Sequence, residues 1–366
     1  MKEQDQSRTD AAGQAPAGPP LSEREQRLLR LVVQHFIETA GPVGSRSLAR
    51  QYGVNLSPAS IRNTMSDLEE MGYLDHPYTS AGRMPTELGY RTFVDELMQT
   101  PELSPAERQM LKLQLARLVS DTDEMLRESS RLLGQLTNLL GVALSPSLST
   151  GVLERLDVVP LASSRLMFVL SVRGGLVKTI VVEFEAEVPR AALERVVSIL
   201  NERLAGLTLA EIRQTHEERV RDIDDQTGIV RLVVNKSALL FSEPNDRRLQ
   251  HGGTQNILSQ PEFQKLDDVR HLIQTIENED LVVHLLEDLL ETNPEEAGQA
   301  VVSIGSESSA EEVDRYSLVI SPYKLGDSIG TLGVLGPTRM DYARVMALVE
   351  NMAAVLNRPA RPAASE

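Results

Sequence analysis

The chain has 366 residues, 41% of them hydrophobic, and a formal net charge of −16. That length suits two or three domains with real cores, and no apolar run is long enough to span a bilayer. There is no cysteine, which excludes a disulfide framework, a thiolate nucleophile and a thiolate metal site and fits a cytoplasmic protein; the acid excess excludes nucleic-acid binding through bulk basicity.

Residues 1–20 are polar and rich in Gln, Ala, Gly and Pro, and read as a disordered tail rather than a secretory leader. Ser22 and Glu25, three apart, form a capping box that opens the first helix. Leu28, Leu29, Val32, Val33, Phe36 and Ile37 give that helix one apolar stripe, and Gly41-Pro42 stops it. Arg24, Arg27 and Arg30 ride on it, where a solvated face is the better reading for each. A short helix from Ser45 to Gln51 and a turn at Tyr52-Gly53-Val54-Asn55 come next. A second helix starts at Ser57, a good N-cap, and Pro58, which suits the first helical position. It ends at Gly72. Ile61, Met65, Leu68 and Met71 form its buried face.

This is the pattern of a helix-turn-helix whose second helix enters the DNA major groove. Its first turns offer Ser57, Pro58, Ala59, Ser60, Arg62 and Asn63. Arg can bond guanine bidentately and Asn can do the same with adenine. Ser45 and Arg46 open the preceding helix. No acid lies between Thr39 and Ser66, and residues 21–92 hold eight Arg against eight Asp and Glu. The acid excess therefore lies elsewhere in the chain, and local charge placement has to do the binding. Tyr73 to His76 reads as a strand, Pro77 to Gly82 as a turn-rich tip, and Arg83-Met84-Pro85 as the return. That is a wing, with Tyr78, Thr79, Ser80 and Arg83 within reach of phosphate or a groove.

A helix is expected over Thr86–Met98, and Pro101 and Pro105 mark a boundary. Residues 105–140 read as a long helical segment, with leucines at helical spacing that suit a core or a partner chain. β-rich runs follow at 152–159, 165–172 and 176–184, with Gly174-Gly175 as a hairpin turn. Helices are expected at 189–204, 209–214 and 220–223. Strand pattern resumes near Leu281–Val302, so the helix-rich block is an insertion in an α+β body. Strands at 316–322 and 330–337 and a closing helix at 341–356 complete the chain.

Chemistry is sparse. Gly330, Gly333 and Gly336 lack the Lys-Ser/Thr of a phosphate loop. The six histidines show no metal-ligand spacing, with His284 read as a packing residue. There is no nucleophile elbow. Neither an enzyme, a cofactor nor a metal is expected. Arg339 and Asp341 are placed to pair with each other and to fix a strand to a helix.

Three collinear blocks carry a resemblance. They are G-P-V-G-S-R-S-L-A through S-P-A-S-I-R-N-T-M to A-G-R-M-P-T-E-L-G-Y-R, then G-G-T-Q-N-I-L (252–258), then G-V-L-G-P-T-R-M-D-Y-A-R-V (333–345). Together they resemble the HrcA family of bacterial heat-inducible transcription repressors. The resemblance implies an α+β protein with an N-terminal winged helix-turn-helix and a GAF-like domain that carries an inserted, helix-rich dimerising domain. The expected division is a tail at 1–20, the winged helix at 21–100, a helical linker at 101–150, the GAF-like domain at 151–186 and 251–358, the insertion at 187–250 and a tail at 359–366. It also implies a homodimer on an inverted-repeat operator of double-stranded DNA upstream of chaperone genes, kept active by the chaperonin. Two other functions compete. One is a ligand-gated regulator that senses a small molecule through the GAF-like domain. The other is a scaffold whose helix-turn-helix is vestigial, against which the acid-free window speaks.

Overall fold

The computed structural model describes residues 18–52, 56–78, 82–116, 122–146, 151–162, 164–173, 176–184, 188–223, 225, 227–241, 249–292, 298–308, 310–325 and 328–357. Gly53, Val54 and Asn55, Thr79 and Ser80, the Gly174-Gly175 turn, the 359–366 tail and most of the 1–20 tail lie outside them. Helix and sheet are mixed throughout, an α+β chain. It divides into two compact units, residues 1–143 with 250–322 and 332–354, and residues 144–249 with 323–331 and 355–366.

The first unit opens with α1 (Glu23–Thr39), α2 (Ser45–Gln51) and α3 (Pro58–Glu70). Both halves of the Ser22–Glu25 capping box are made. Leu28, Leu29, Val32 and Val33 are buried, whereas Phe36 and Ile37 are half-buried. On α3 the buried set is Ile61, Thr64, Met65 and Leu68. Thr64 is admitted because its hydroxyl bonds the Ser60 carbonyl at 3.2 Å, while Met71 at the cap is half-buried. Gly72 then turns left-handed (φ 84), as a helix end requires. A two-stranded antiparallel ladder follows, β1 (Leu74–Asp75) against β2 (Met84–Pro85). Val43 adds a third rung, with Val43 N–H to Arg83 O at 2.7 Å and Arg83 N–H to Val43 O at 2.9 Å. α4 (Glu87–Thr92) runs into a π-helical turn, Phe93–Leu97. Pro19, inside the expected tail, is tied down by the Tyr73 hydroxyl at 2.5 Å.

The stretch expected as a helical linker carries more than helix. It holds α5 (Pro105–Ala116), α6 (Thr122–Thr137) and then a fully buried strand, β3 (Leu140–Leu144). Asn138, at φ 58, ends α6, so the apolar run that seemed to continue a helix turns into a strand interior to a sheet.

The next elements are β4 (Leu153–Ala162), β5 (Arg165–Val172), β6 (Leu176–Glu183), α7 (Arg190–Leu204), α8 (Leu209–Val220), α9 (Ile229–Asn235) and α10 (Ser237–Phe241). They lie in the second unit. The strands at 151–186 form their own three-stranded sheet, in the order β4-β5-β6, rather than joining the body. Phe168, Leu170, Val172 and Ile180 share one core with Leu193, Leu200, Ile212, Val233 and Phe241 of the helices. The reason is amphipathicity: each strand has one apolar face to bury, and the following helices supply the cover. The compact unit that holds them starts at residue 144, whereas the insertion was expected from 187.

The chain returns with β7 (Leu249–Gly252), α11 (Thr254–Leu258), α12 (Leu266–Glu277), α13 (Glu279–Thr292), β8 (Val301–Ile304), β9 (Tyr316–Leu325), β10 (Ser328–Pro337) and α14 (Tyr342–Leu356). The strand pattern expected from Leu281 is helix as far as Thr292, and among the described residues that follow the strand is Val301–Ile304. The sheet order is β7-β3-β10-β9-β8. The G-G-T-Q-N-I-L block seats on α6. Gly253 (φ 90) leaves no room for a Cβ against the Leu139 carbonyl, and Asn256 Nδ2 donates to Gly134 O at 2.8 Å.

Candidate nucleic-acid interface

α3 packs against α1 and α2, which hold it by its apolar face and leave the other outward. Ser57 is its N-cap: its Oγ accepts from Ser60 N–H at 3.1 Å, and Pro58 follows at the first helical position. Ser57, Pro58, Ala59, Arg62 and Asn63 are exposed and Ser60 is half-buried. On α2, Arg46 is exposed and Ser45 half-buried. Arg46, Arg50 and Arg62 form no ion pair among the described residues, so three guanidiniums stand available to an anion within an acidic protein.

Two features were not legible in the sequence. Arg24 of α1, read as a solvated cation, donates through Nη2 to Ser60 O and Ser60 Oγ, each at 3.0 Å. That places a guanidinium beside the first turn of α3. His35 is buried, with Nε2 at 3.3 Å from Ser47 Oγ and Nδ1 at 3.4 Å from the Tyr52 hydroxyl. Its ring meets Tyr52 edge-on at 5.9 Å. It thus fixes α2 on α1, and only its helical periodicity could have flagged it.

The hairpin is clipped to α3 by one carboxylate. Glu69, in the last turn of α3, holds Arg83 Nη2 on Oε2 at 2.5 Å and His76 Nδ1 on Oε1. His76 follows β1 and Arg83 precedes β2, so both legs are gripped where the hairpin opens toward its tip. Arg83 faces this carboxylate in addition to whatever it offers outward. Tyr78 at the tip is 64% exposed, whereas Thr79 and Ser80 fall outside the described residues. Glu69, Asp75 and His76 bring three donor atoms within 4.8 Å of one another. Because the Arg83 guanidinium already neutralises Glu69, we assign no metal there. The expected Arg339–Asp341 pair does not form: Arg339 bonds Glu262, and Asp341 Oδ1 accepts from Arg344 N–H at 3.1 Å. His284 is exposed rather than packed.

The arrangement can bind and orient a polyanion along α3, and it brings together no nucleophile and base. No helix among the described residues is long and apolar enough to cross a membrane.

Residues 123–346 match the family described as HrcA protein C terminal domain. A heat-inducible transcription repressor HrcA of Chlorobium phaeobacteroides (strain BS1) is 42% identical over 91% of this chain and 96% of its own. Its counterpart in Chlorobium luteolum is 41% identical over the same shares. A crystal structure of a protein titled only as hypothetical aligns with a TM-score of 0.60 at 22% identity, covering 92% of this chain and 98% of that one. At that identity the likeness speaks to the fold alone, and it extends over nearly the whole chain.

Proposed function

The chain belongs to the HrcA family of heat-inducible transcription repressors, and from that premise we propose that it represses heat-shock genes as a homodimer on an inverted-repeat operator. Residues 21–98 act as a winged helix-turn-helix: α3 reads bases with Arg62 and Asn63, Ser45 and Arg46 of α2 and the hairpin with Tyr78, Thr79, Ser80 and Arg83 hold the backbone, and α5, α6 and the five-stranded sheet with its helices form a GAF-like body. The observation that carries this reading is the outward first half of α3. It holds an exposed Arg and Asn on a capped, acid-free helix end, beside Arg46 and Arg50 of α2, which form no ion pair among the described residues.

Unit two is the dimerising unit in this reading. The outer face of its sheet carries an apolar patch, with the Arg155–Asp157 pair and the facing Arg165 and Glu183 on the same side. Val159 pairs across to Met167, and Met167 to Val181. Val159, Leu161, Val177 and Val181 are 41–60% exposed. A contiguous apolar patch on a sheet face marks an interaction site, and a two-fold contact there would place two heads on a palindrome. The same face, bare in an unpaired subunit, suits capture by the cytoplasmic chaperonin, whose availability would then set the active fraction.

The test is binding of purified protein to duplexes selected by it from a random pool, against scrambled duplexes at fixed salt. Arg62→Ala and Asn63→Ala should each cost about 1–3 kcal/mol on the selected site and relax preference at one base pair. Wild-type affinity in both variants would remove α3 from the reading role.

A further inference from the structure

The G-P-T-R-M-D-Y block near the C-terminus lies outside the residues proposed above for DNA contact, yet its arginine reaches the N-terminal module. Arg339 is 11% exposed and makes a two-pronged pair with Glu262, Nε to Oε1 at 2.6 Å and Nη2 to Oε2 at 3.1 Å. A further bond runs from Nη2 to Gln260 Oε1 at 3.1 Å. The remaining nitrogen, Nη1, donates to the Ile37 carbonyl at 2.8 Å. That carbonyl is in the last turn of α1, where backbone acceptors lack helical partners and a cation is favoured.

A second attachment lies at α4. Arg91 binds Glu307 through both Nε, at 2.7 Å, and Nη2. It also donates to Val302 O at 2.8 Å, on the edge strand β8. Burial depresses the Arg91 pKa, but the Glu307 and Asp95 carboxylates together outweigh burial and the pKa ends up raised. Beside it the Glu87 carboxylate binds Ser306 N–H at 3.2 Å and the Ser306 hydroxyl. Glu87 lies so close over Gly305 (φ 55) that a Cβ there would collide with it. Between the two attachments Tyr90 is buried against Tyr342, ring centroids 5.8 Å apart.

Attachment at one point would leave the module free to swivel. Attachment at the end of α1 and along α4 leaves it no rotation that keeps both. Phosphate and base contacts on α3 are local and need no such anchoring. A fixed angle matters only when two reading helices must meet two half-sites at once, because each added base pair turns the second half-site by about 34° about the duplex axis. We propose that Arg339, Arg91 and Glu87 are positioning residues: by fixing the angle of the N-terminal module on the body, they make the protein selective for the spacer between operator halves. This rests on the homodimer reading above.

The test uses full-length protein and half-sites taken from the selected pool, joined as inverted repeats with spacers lengthened or shortened by one to five base pairs. The loosened variants remove both charges of a pair, Arg339→Gln with Glu262→Gln and, separately, Arg91→Gln with Glu307→Gln, so that no buried charge is left alone. Circular dichroism confirms folding. Wild type should lose about 30-fold or more when the spacer changes by two base pairs, whereas each loosened variant should lose about threefold or less and bind an isolated half-site like wild type. A retained spacer profile in both variants would overturn the proposal. So would tighter half-site binding, since the contacts would then hide α3 rather than aim it. Wild type indifferent to spacer would instead sink the homodimer reading.

Discussion

Glu69→Gln tests whether the carboxylate at the end of α3 serves DNA binding or merely sits beside it. The change keeps shape and removes charge. Glu69 is 21% exposed, and its partners Arg83 and His76 are 24% and 34% exposed. These pairs fall between surface pairs, worth about 0.2–1 kcal/mol, and buried ones, where losing a partner costs about 3–5 kcal/mol. Losing the charge assistance of two such bonds should cost roughly 1–2 kcal/mol of hairpin order. If the hairpin must be ordered on the operator, that converts to about 5–30-fold weaker binding, at about 1.4 kcal/mol per tenfold. Simple electrostatics predicts the opposite sign, because deleting a negative charge next to a polyanion strengthens binding. Fluorescence anisotropy with the selected operator decides between them. Arg83→Met and the double variant close a cycle, and the double should be no weaker than the weaker single. Glu69→Gln binding as tightly as wild type, or more tightly, would refute the reasoning.

If the proposed homodimer pairs through the outer face of the three-stranded sheet, Val181→Glu should shift it to monomer in sedimentation velocity while leaving its circular dichroism intact; an unchanged dimer would remove that face from the proposal. Tyr90 buries a hydroxyl that has no hydrogen-bond partner among the described residues, and burial raises its pKa well above the ordinary value. Tyr90→Phe should therefore raise thermal stability, by about 1 kcal/mol, and a loss of similar size would show that the hydroxyl is bonded through water. Glu107 is held down at about 2 from 4.5, by its bond to Arg344 first and then by Ser104. Its folded pKa is depressed, so its contribution is present above 4.5 and is lost as pH falls toward 2. Arg344→Gln should return the Glu107 carboxyl NMR titration toward 4.5, and an unmoved titration would assign the shift to Ser104 alone.

What local chemistry sets was readable in the chain. The Ser22–Glu25 box, the Ser57-Pro58 start, the Gly72 stop and the paired legs of the hairpin each depend on residues within a few positions of one another. What depends on partners far off was not. The alternation along β4, β5 and β6 says that one face is buried but not by what, so their grouping into a separate three-stranded sheet is not legible in it. The run Leu139–Leu144 is apolar at every position and fits a helix as well as an interior strand. Arg339 was matched to Asp341, its near neighbour. Its real partners lie 77 and 302 residues away in Glu262 and Ile37, a pairing that only the packed fold creates. At the interface, exposure of Arg62 and Asn63 followed from helical period, whereas the Arg24 bond to Ser60 and the Glu69 clip required knowing how α1 and the hairpin fold back on α3.

The joints of the excursion between β3 and β7 bear on how such a protein can change over generations. The chain leaves the five-stranded sheet at the end of β3 and rejoins it at β7, the neighbouring strand. Gly253, just past β7, lies against the carbonyl of Leu139, just before β3, so the two strands run in opposite directions. The exit and the return are then about one strand spacing, ~4.8 Å, apart. Closing a chain across so narrow a gap depends weakly on its length, and doubling the excursion adds only about 0.6 kcal/mol. A lineage can enlarge, trim or rewrite everything between β3 and β7 while the sheet keeps its register and Gly305 keeps its seat for Glu87. The segment between β3 and β7 and the rest of the chain are in this way free to drift at different rates within one polypeptide.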